Sequence, residues 1–414
     1  MTHSVSTHGG VSIVHRPVLV VVTPIAPAPT GNGLAMRCHA VVAAAAIDHD
    51  VVPVVVPVAG RVPASSSQST SAAAIGGVVA RHELEPDRPG DRTPLMAWMA
   101  DPLWRSRLEA LSPLPDAAAA VPPTRAGEVV ALVDGRRVVG VVACRLTTAL
   151  LGLSVAERLG VPLVVDADDD DVAFHQRADD RLGAEQWARG AALCLPRAAL
   201  VLVASPADRE PMTDRWGLGE RVVVVPNSVR LPAVGPAAPP GDHRLLFVAN
   251  FTYPPNEAGA VWFVDAVLPL LPAPWHLDLV GSPSAAVTSL ASGRVHVAGW
   301  VDDVAPWYDG ADVVVAPLRS GSGTRIKLLE AFAHRRPVVS TTVGGAGLAV
   351  VDGVHLRVAD EPDAIAAAIE EVARPAEAGP MVDAAERLVA EVYDAAGVGR
   401  RLAARLVGVT LGTR

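Results

Sequence analysis

The sequence predicts an α/β protein of two doubly wound domains facing a cleft. Three observations carry this prediction. Short Val-rich runs alternate with Ala/Leu-rich helical stretches, the mark of βαβ units around parallel sheets covered on both faces. The alternation stops at a proline-rich segment and then starts afresh. The chain has 414 residues, half of them hydrophobic, against a usual domain size of roughly 150 residues.

In the first half, PVLVVVT (17–23), VVPVVV (51–56), VVGVVAC (138–144), VPLVVD (161–166), ALVLVAS (199–205) and RVVVVP (221–226) read as strands. Leu231–Asp242 follows, with Pro232, Pro236, Pro239 and Pro240. Such a segment continues neither a helix nor a central strand, and reads as a linker. Six further strands come after it: RLLFVAN (244–250), WHLDLVG (275–281), RVHVAG (294–299), ADVVVAP (311–317), RPVVS (336–340) and HLRVAD (355–360). The division is therefore an N-terminal domain over 1–230, a linker over 231–242 and a second domain over 243–380. Helices over 381–414 are expected to pack back towards the first domain, with a break near Gly397. Gly60–Ala74 reads as a surface loop. Pro86–Pro123, irregular for this architecture, is a candidate for acceptor recognition.

A formal charge of -9 argues against general nucleic-acid binding. Three cysteines without CxxC spacing suggest neither a disulfide framework nor a zinc ribbon, and point to a reducing, cytoplasmic compartment. The apolar run near the start is too short and too proline-interrupted to span a bilayer. Peripheral membrane contact stays open.

Of 35 basic residues, 34 are arginine and one is Lys327. It stands in RSGSGTRIKLLEAFAH, a Gly/Ser loop after a strand and before a helix. Gly321 and Gly323 let backbone N–H groups approach a ligand closely, and a helix start adds partial positive charge, which together favour a phosphate. A cation in the first turn opposes the helix dipole unless something anionic compensates it. The plainer reading is a surface pair between Lys327 and Glu330, worth roughly 0.2–0.5 kcal/mol, too weak to explain the isolated lysine and its glycines.

GSGTRIKLLEAFAHRRPVVSTTVGGAGL resembles the donor-site signature of glycosyltransferase family 4 (group 1), in its GSGTR-x-K subgroup. LLFVANFTYPPNEAGAVWFVDAVLPLL, VHVAGWVDDVAPWYDGADVVVAPLRSG and VVVVPNSV extend the likeness in the same order. The resemblance implies the GT-B fold, two Rossmann-like domains, with a nucleotide-sugar donor held by the C-terminal one. It implies that Gly323, Thr324 and Arg325 present backbone amides to the diphosphate, with Lys327 and Arg325 adding charge, and that Ser322 belongs to the donor site near the sugar. Glu330 would accept from the ribose hydroxyls, and Trp300 and Val301 would lie beside the base. Asn250, Gly344 and Gly345 complete the implied donor set. Members often carry a glutamate eight residues before the position of Glu330; here Ser322 stands there and leaves the sugar open.

VPLVVDADDDD is the other conspicuous segment. Asp-x-Asp after a strand is also the metal signature of GT-A transferases, but those lack a second βα domain with its own phosphate loop. The remaining readings are a helix-capping loop and cleft-lining aspartates. Asp166 is read as the strand end. By position Asp168, with Asp169 beside it, stands where the family often has a histidine near the reacting centre. Arg145 ends a strand at the same crevice, either facing the cleft or paired with the acidic run. Gly31, Asn32 and Gly33 form a first-domain glycine loop expected to face the acceptor or the diphosphate, with Arg37 one turn along.

The resulting expectation is a nucleotide-sugar-dependent glycosyltransferase acting with retention, with Lys327, Arg325 and Asp168 at the reacting centre. No metal and no cofactor beyond the donor substrate are expected. The acceptor could be a glycan, a lipid-linked molecule or a small molecule. A non-catalytic sugar-nucleotide-binding protein and a sugar-nucleotide epimerase are the alternatives.

Overall fold

The computed structural model describes residues 16–58, 77–85, 114–232, 235, 239–321 and 325–412. The 60–74 loop, residues 86–113 and Ser322, Gly323 and Thr324 of the Gly/Ser loop lie outside the described residues.

The first sheet holds Val18–Thr23 (β1), Asp50–Val55 (β2), His82–Glu83 (β3), Val138–Cys144 (β4), Leu163–Asp168 (β5), Leu200–Val203 (β6) and Val222–Val224 (β7). The second holds Arg244–Val248 (β8), His276–Val280 (β9), Val295–Gly299 (β10), Val313–Ala316 (β11), Val338–Ser340 (β12) and Arg357–Val358 (β13). Their orders are β3-β2-β1-β4-β5-β6-β7 and β10-β9-β8-β11-β12-β13. Every strand pairing is parallel.

Residue alternation explains why the strands read as unbroken apolar runs. Val18, Val20 and Val22 enter one core layer of the first domain, while Leu19 and Val21 enter the layer on the opposite face. Both faces are covered, so both must be apolar. Only β3 escaped the sequence reading. It has two residues, His82 and Glu83, and carries no apolar pattern.

Six helices position the cleft residues: Gly33–Asp48 (α1), Leu146–Leu159 (α2), Asp171–Arg177 (α3), Arg181–Cys194 (α4), Ile326–Ala333 (α5) and Ala395–Leu411 (α6). Asp170 caps α3 by accepting from Ala173 N at 3.0 Å, and Asp180 caps α4 through Gly183 N at 2.9 Å. The helical stretch after the acidic run is thus two helices, each started by its own aspartate.

At the C-terminus the break falls at Asp394 rather than Gly397. Asp394 caps α6 by accepting from Gly397 N at 2.9 Å. Val398, Leu402 and Leu406 of α6 then enter the core of the first domain with α1. Two crossings between the domains lie side by side: Val229 N donates to Tyr393 O and Ala395 N donates to Val229 O, each at 3.0 Å.

Two expectations change here. The strand β5 continues past Asp166 to Asp168, with its pairing to β6 shifted between them. Arg37, expected on the cleft, is buried beneath it. Its guanidinium meets Asp166 at 3.0 and 2.7 Å and Val225 O at 2.6 Å. Both side chains are almost fully buried, at 2% and 1% exposure, so the pair fastens α1 to β5 rather than meeting a ligand. Removing one partner of such a pair leaves an uncompensated charge and costs about 3–5 kcal/mol. Arg37→Ala should therefore lower the urea-unfolding free energy by about that amount. A loss within ~1 kcal/mol would show that the pair does not hold the helix to the sheet.

Candidate functional site

Strand order reverses between β1 and β4, and again between β8 and β11. In doubly wound sheets ligands bind outside the strand carboxyl ends at such reversals. Here both reversals open into one cavity of about 860 Å³ between the domains. It receives Gly31, Asn32 and Gly33 after β1, Arg145 after β4, Asn250 and Asn256 after β8, and Arg325, Lys327 and Glu330 after β11.

On the C-terminal wall, Lys327 is half-buried and its Nζ donates to Asn256 Oδ1 at 3.0 Å. The ammonium sits 4.7 Å from the centroid of the Phe247 ring, a cation–π distance. Asn256 is placed in turn by donating to Asn250 O at 2.8 Å. Burial pulls Lys327 down to about 7; Arg325 adds to the depression and Glu330 opposes it. The lysine thus bonds Asn256, and the plainer reading of a surface pair with Glu330 is not what the structure shows.

Glu330 accepts from the Tyr308 hydroxyl at 2.9 Å. That tyrosine is fully buried, stacks on His334 at 5.4 Å and also donates to Lys327 O at 3.1 Å. Burial pushes Glu330 up to about 7, opposed by the tyrosine hydrogen bond and by Lys327. Arg325 is buried, and burial lowers its pKa against the attraction of Asp169.

On the N-terminal wall, Arg145 reaches Asp168 at 3.3 Å, Asp169 at 3.1 Å and Asp171 at 2.7 Å. The two readings of Arg145 are both realised, since it pairs with the acidic run and also lines the cavity. Burial raises Asp168 to about 7, reinforced by Asp169 and opposed by Arg37 and Arg145. Arg145 and Asp168 have φ of 69° and 57°, a left-handed conformation that costs non-glycine residues on the order of 1–3 kcal/mol. Asp170 points elsewhere, to Arg215 at 2.7 Å.

The glycine loop of the first domain does more than admit a ligand. A Cβ on Gly31 (φ 94°) would lie 3.0 Å from Cη2 of Trp300, and one on Gly33 would lie 3.3 Å from Cδ1 of Ile326. The bare backbone is where the two domains touch across the cleft. Asn32 caps α1, accepting from Leu34 N at 2.8 Å. Trp300 and Val301 line the cavity.

Gly344 and Gly345 do not line it. Both are buried after β12, and a Cβ on Gly344 would strike Ala316 O and Ser340 Oγ, so that glycine serves close packing against β11. Gly321, with φ 113°, lies beside the Arg325 guanidinium. Sequence reasoning missed Asn256, Tyr308, Phe174, Trp187 and Asn227, all but Tyr308 on the cavity lining. NEAG and WYDG lie inside the family-like segments, but nothing local marks Asn256 or Tyr308 as a partner of a residue 71 or 22 positions away.

Residues 242–374 match the family described as glycosyl transferases group 1. That stretch, the second sheet with its helices, is a group 1 glycosyltransferase domain. A protein of the cps region of Klebsiella pneumoniae, 44.6 kDa and uncharacterized, is 23% identical over 131 residues, which cover 28% of this chain and 34% of that protein. HepE of Anabaena, solved with UDP and glucose, superposes with a TM-score of 0.69 at 16% identity, over 95% of this chain and 100% of that one. Sucrose-phosphate synthase from Thermosynechococcus elongatus gives 0.71 at 16% identity, over 96% and 100%. The two parallel sheets and these likenesses give the chain the GT-B fold.

The Tyr308 contact gives a test of the electrostatics of the C-terminal wall. A hydrogen bond to a charged group contributes about 1.5–3 kcal/mol, or about one to two pH units on a carboxyl group. Because the tyrosine bonds the ionised form, Tyr308→Phe should move the Glu330 titration upward from about 7, followed by carboxyl ¹³C NMR. An unmoved midpoint would mean that the hydroxyl does not stabilise the carboxylate.

Proposed function

We propose that the protein transfers a sugar from a nucleoside-diphosphate donor to an acceptor hydroxyl, with retention and without a metal or other cofactor. The observation that carries this is the meeting of Lys327, Arg325 and the start of α5 with Glu330 at one end of the cavity, within the matched family domain. A diphosphate at the helix start would gain from backbone N–H groups, the helix dipole and two cations. Glu330, held by Tyr308, suits the two hydroxyls of a ribose. Trp300 and Val301 stand where the base would lie. UDP-sugars are the first donors to try, since HepE was also solved with UDP-glucose.

In the reaction the donor C1–O bond to the β-phosphate breaks while C1 bonds the acceptor oxygen on the same face. The acceptor proton passes to the departing phosphate oxygen. Lys327 and Arg325 stabilise the charge that grows there, in a cleft where electrostatic effects are larger than in water. Asp168, near half-protonated at neutral pH, orients the acceptor hydroxyl. Three free, buried thiols favour a reducing compartment, and we place the activity in the cytoplasm. Among the described residues no helix is long and apolar enough to cross a membrane.

Mass balance on a panel of nucleotide sugars tests the reading: transfer supports it, while epimerised donor or intact donor in every case defeats it. Lys327 supplies a sharper check. With its pKa at about 7 in the free protein, it is mostly neutral at pH 8, and a diphosphate draws it back to the ammonium. UDP binding at pH 8 should therefore be accompanied by proton uptake. Calorimetry in buffers of different ionisation enthalpy measures this. The uptake should vanish in Lys327→Ala, together with about 10²–10³ in kcat. Lys327→Arg, with its longer planar head, should restore only part of the rate. UDP binding without proton uptake would remove Lys327 from the phosphate.

A further inference from the structure

We propose that Asn256 is a positioning residue for the transfer reaction: its amide, oriented by Asn250, holds the Lys327 ammonium against the Phe247 ring and leaves the other N–H groups for the donor diphosphate. This rests on the glycosyl-transfer reading and adds a residue to which that reading gives no role.

The direction of the amide follows from its partners. Asn256 Nδ2 donates to Asn250 O at 2.8 Å, and a backbone carbonyl can only accept. Oδ1 is therefore the atom that faces Lys327 Nζ, at 3.0 Å. Asn250 is itself pinned, its Oδ1 accepting from Thr252 N at 3.1 Å and from Thr252 Oγ1 at 2.8 Å. On another side of the ammonium lies the face of Phe247, at 4.7 Å, and Phe251 braces that ring edge-to-face at 5.2 Å. An ammonium has three donors. Among the described residues Nζ bonds Asn256 Oδ1 alone, which leaves two N–H groups for a ligand in the cavity that Lys327 and Asn256 both line.

Docking of the helix that carries Asn256 does not need this bond. That helix, Pro254–Trp262, lies so close to the end of β11 that a Cβ on Gly259 would sit 2.8 Å from Pro317 O. The Arg319 guanidinium also covers the Trp262 ring at 5.1 Å. These contacts fix the segments after β8 and β11 against each other, and the Asn256–Lys327 bond spans them where they line the cavity.

What the bond adds is electrostatic. Burial favours the neutral amine of Lys327, with Arg325 acting in the same sense and Glu330 against it. The neighbours from β8 and from the 254–262 helix, Phe247 and Asn256, carry no charge. An acceptor aimed at Nζ favours the ammonium, which is the form that attracts a phosphate.

The chain has one lysine, so ¹³C/¹⁵N-lysine labelling of the full chain gives a single side-chain signal whose titration reads Lys327 directly. The parent midpoint is expected at about 7. Asn256→Leu removes the acceptor at similar volume, and should lower the midpoint by about one to two pH units. Asn256→Asp keeps an acceptor and adds negative charge, so it should raise the midpoint above the parent's. At pH 7 the leucine variant would hold less ammonium, and its UDP affinity should fall about 5- to 50-fold, a deficit that shrinks as the pH is lowered. A helix merely loosened by substitution would not shift the two midpoints in opposite directions. The proposal is overturned if Asn256→Asp leaves the midpoint at or below the parent's, or if Asn256→Leu, folded by circular dichroism, leaves it unchanged. Should the leucine variant fail to fold, the aspartate variant decides alone. UDP that leaves the parent's lysine signal unmoved would instead defeat the donor reading, with the hold of Asn256 on Lys327 still judged by the midpoints of the free protein.

Discussion

The reversal of strand order in each sheet is the constraint on which everything else depends. Between β1 and β4, and between β8 and β11, neighbouring strands send their following helices to opposite faces. No helix can then fill the crevice above those two strand ends. Facing the crevices makes one cavity whose contributing residues come from loops, where backbone N–H groups and helix starts lie open. The covered faces of both sheets, made of buried Val, Leu and Phe, keep those loops in place.

What the cavity collects is charge removed from water and only partly compensated. Lys327, Glu330 and Asp168 are each displaced to about 7 by burial. A group near half-protonation responds to an incoming charge with little proton-transfer work, which suits a site where phosphate charge appears and leaves. This also explains a lysine among arginines. The ammonium fits between Asn256 and the face of Phe247, a space for a compact head. A planar fork in the same loop already exists in Arg325, which is packed beside Gly321. Lysine can also lose its proton on burial, whereas arginine stays charged.

Most strands were legible because parallel sheets buried on both faces leave an apolar trace, and HLRVAD marked the two-residue β13 by its neighbours Leu356 and Ala359. Two-residue β3 leaves no such trace. The C-terminal end of the cavity was legible because its chemistry is local, with a loop and a helix start supplying Arg325, Lys327 and Glu330 within six residues. Arg37 was misplaced because its neighbourhood to the glycine loop is visible in the sequence, while its partner Asp166 is 129 residues away. Gly344 shows the same ambiguity: a missing side chain serves close packing as readily as ligand approach, and only the position of Ala316 O decides. The N-terminal wall of the cavity was the least legible part. Asn227, Phe174 and Trp187 come from separate elements and share no spacing, so only folding puts them on one surface.

The same distinction between bare backbone and packed side chain governs how the domains can move. Their crossings are joined by the Val229–Tyr393–Ala395 hydrogen bonds, and α6 is anchored in the first core by Val398, Leu402 and Leu406. That edge is held by backbone pairing and buried apolar surface, and it has the short connecting segments that absorb rotation in hinged proteins. At the mouth, Trp300, itself 38% exposed, and Ile326 meet Gly31 and Gly33, which have no side chains to grip them. Contacts of that kind give up little when they part. The glycine rim of the cleft is therefore held by fewer side-chain contacts than the C-terminal crossing. A nucleotide in the cavity would add the contacts that the rim lacks, and so favour the closed arrangement by its differential affinity for it.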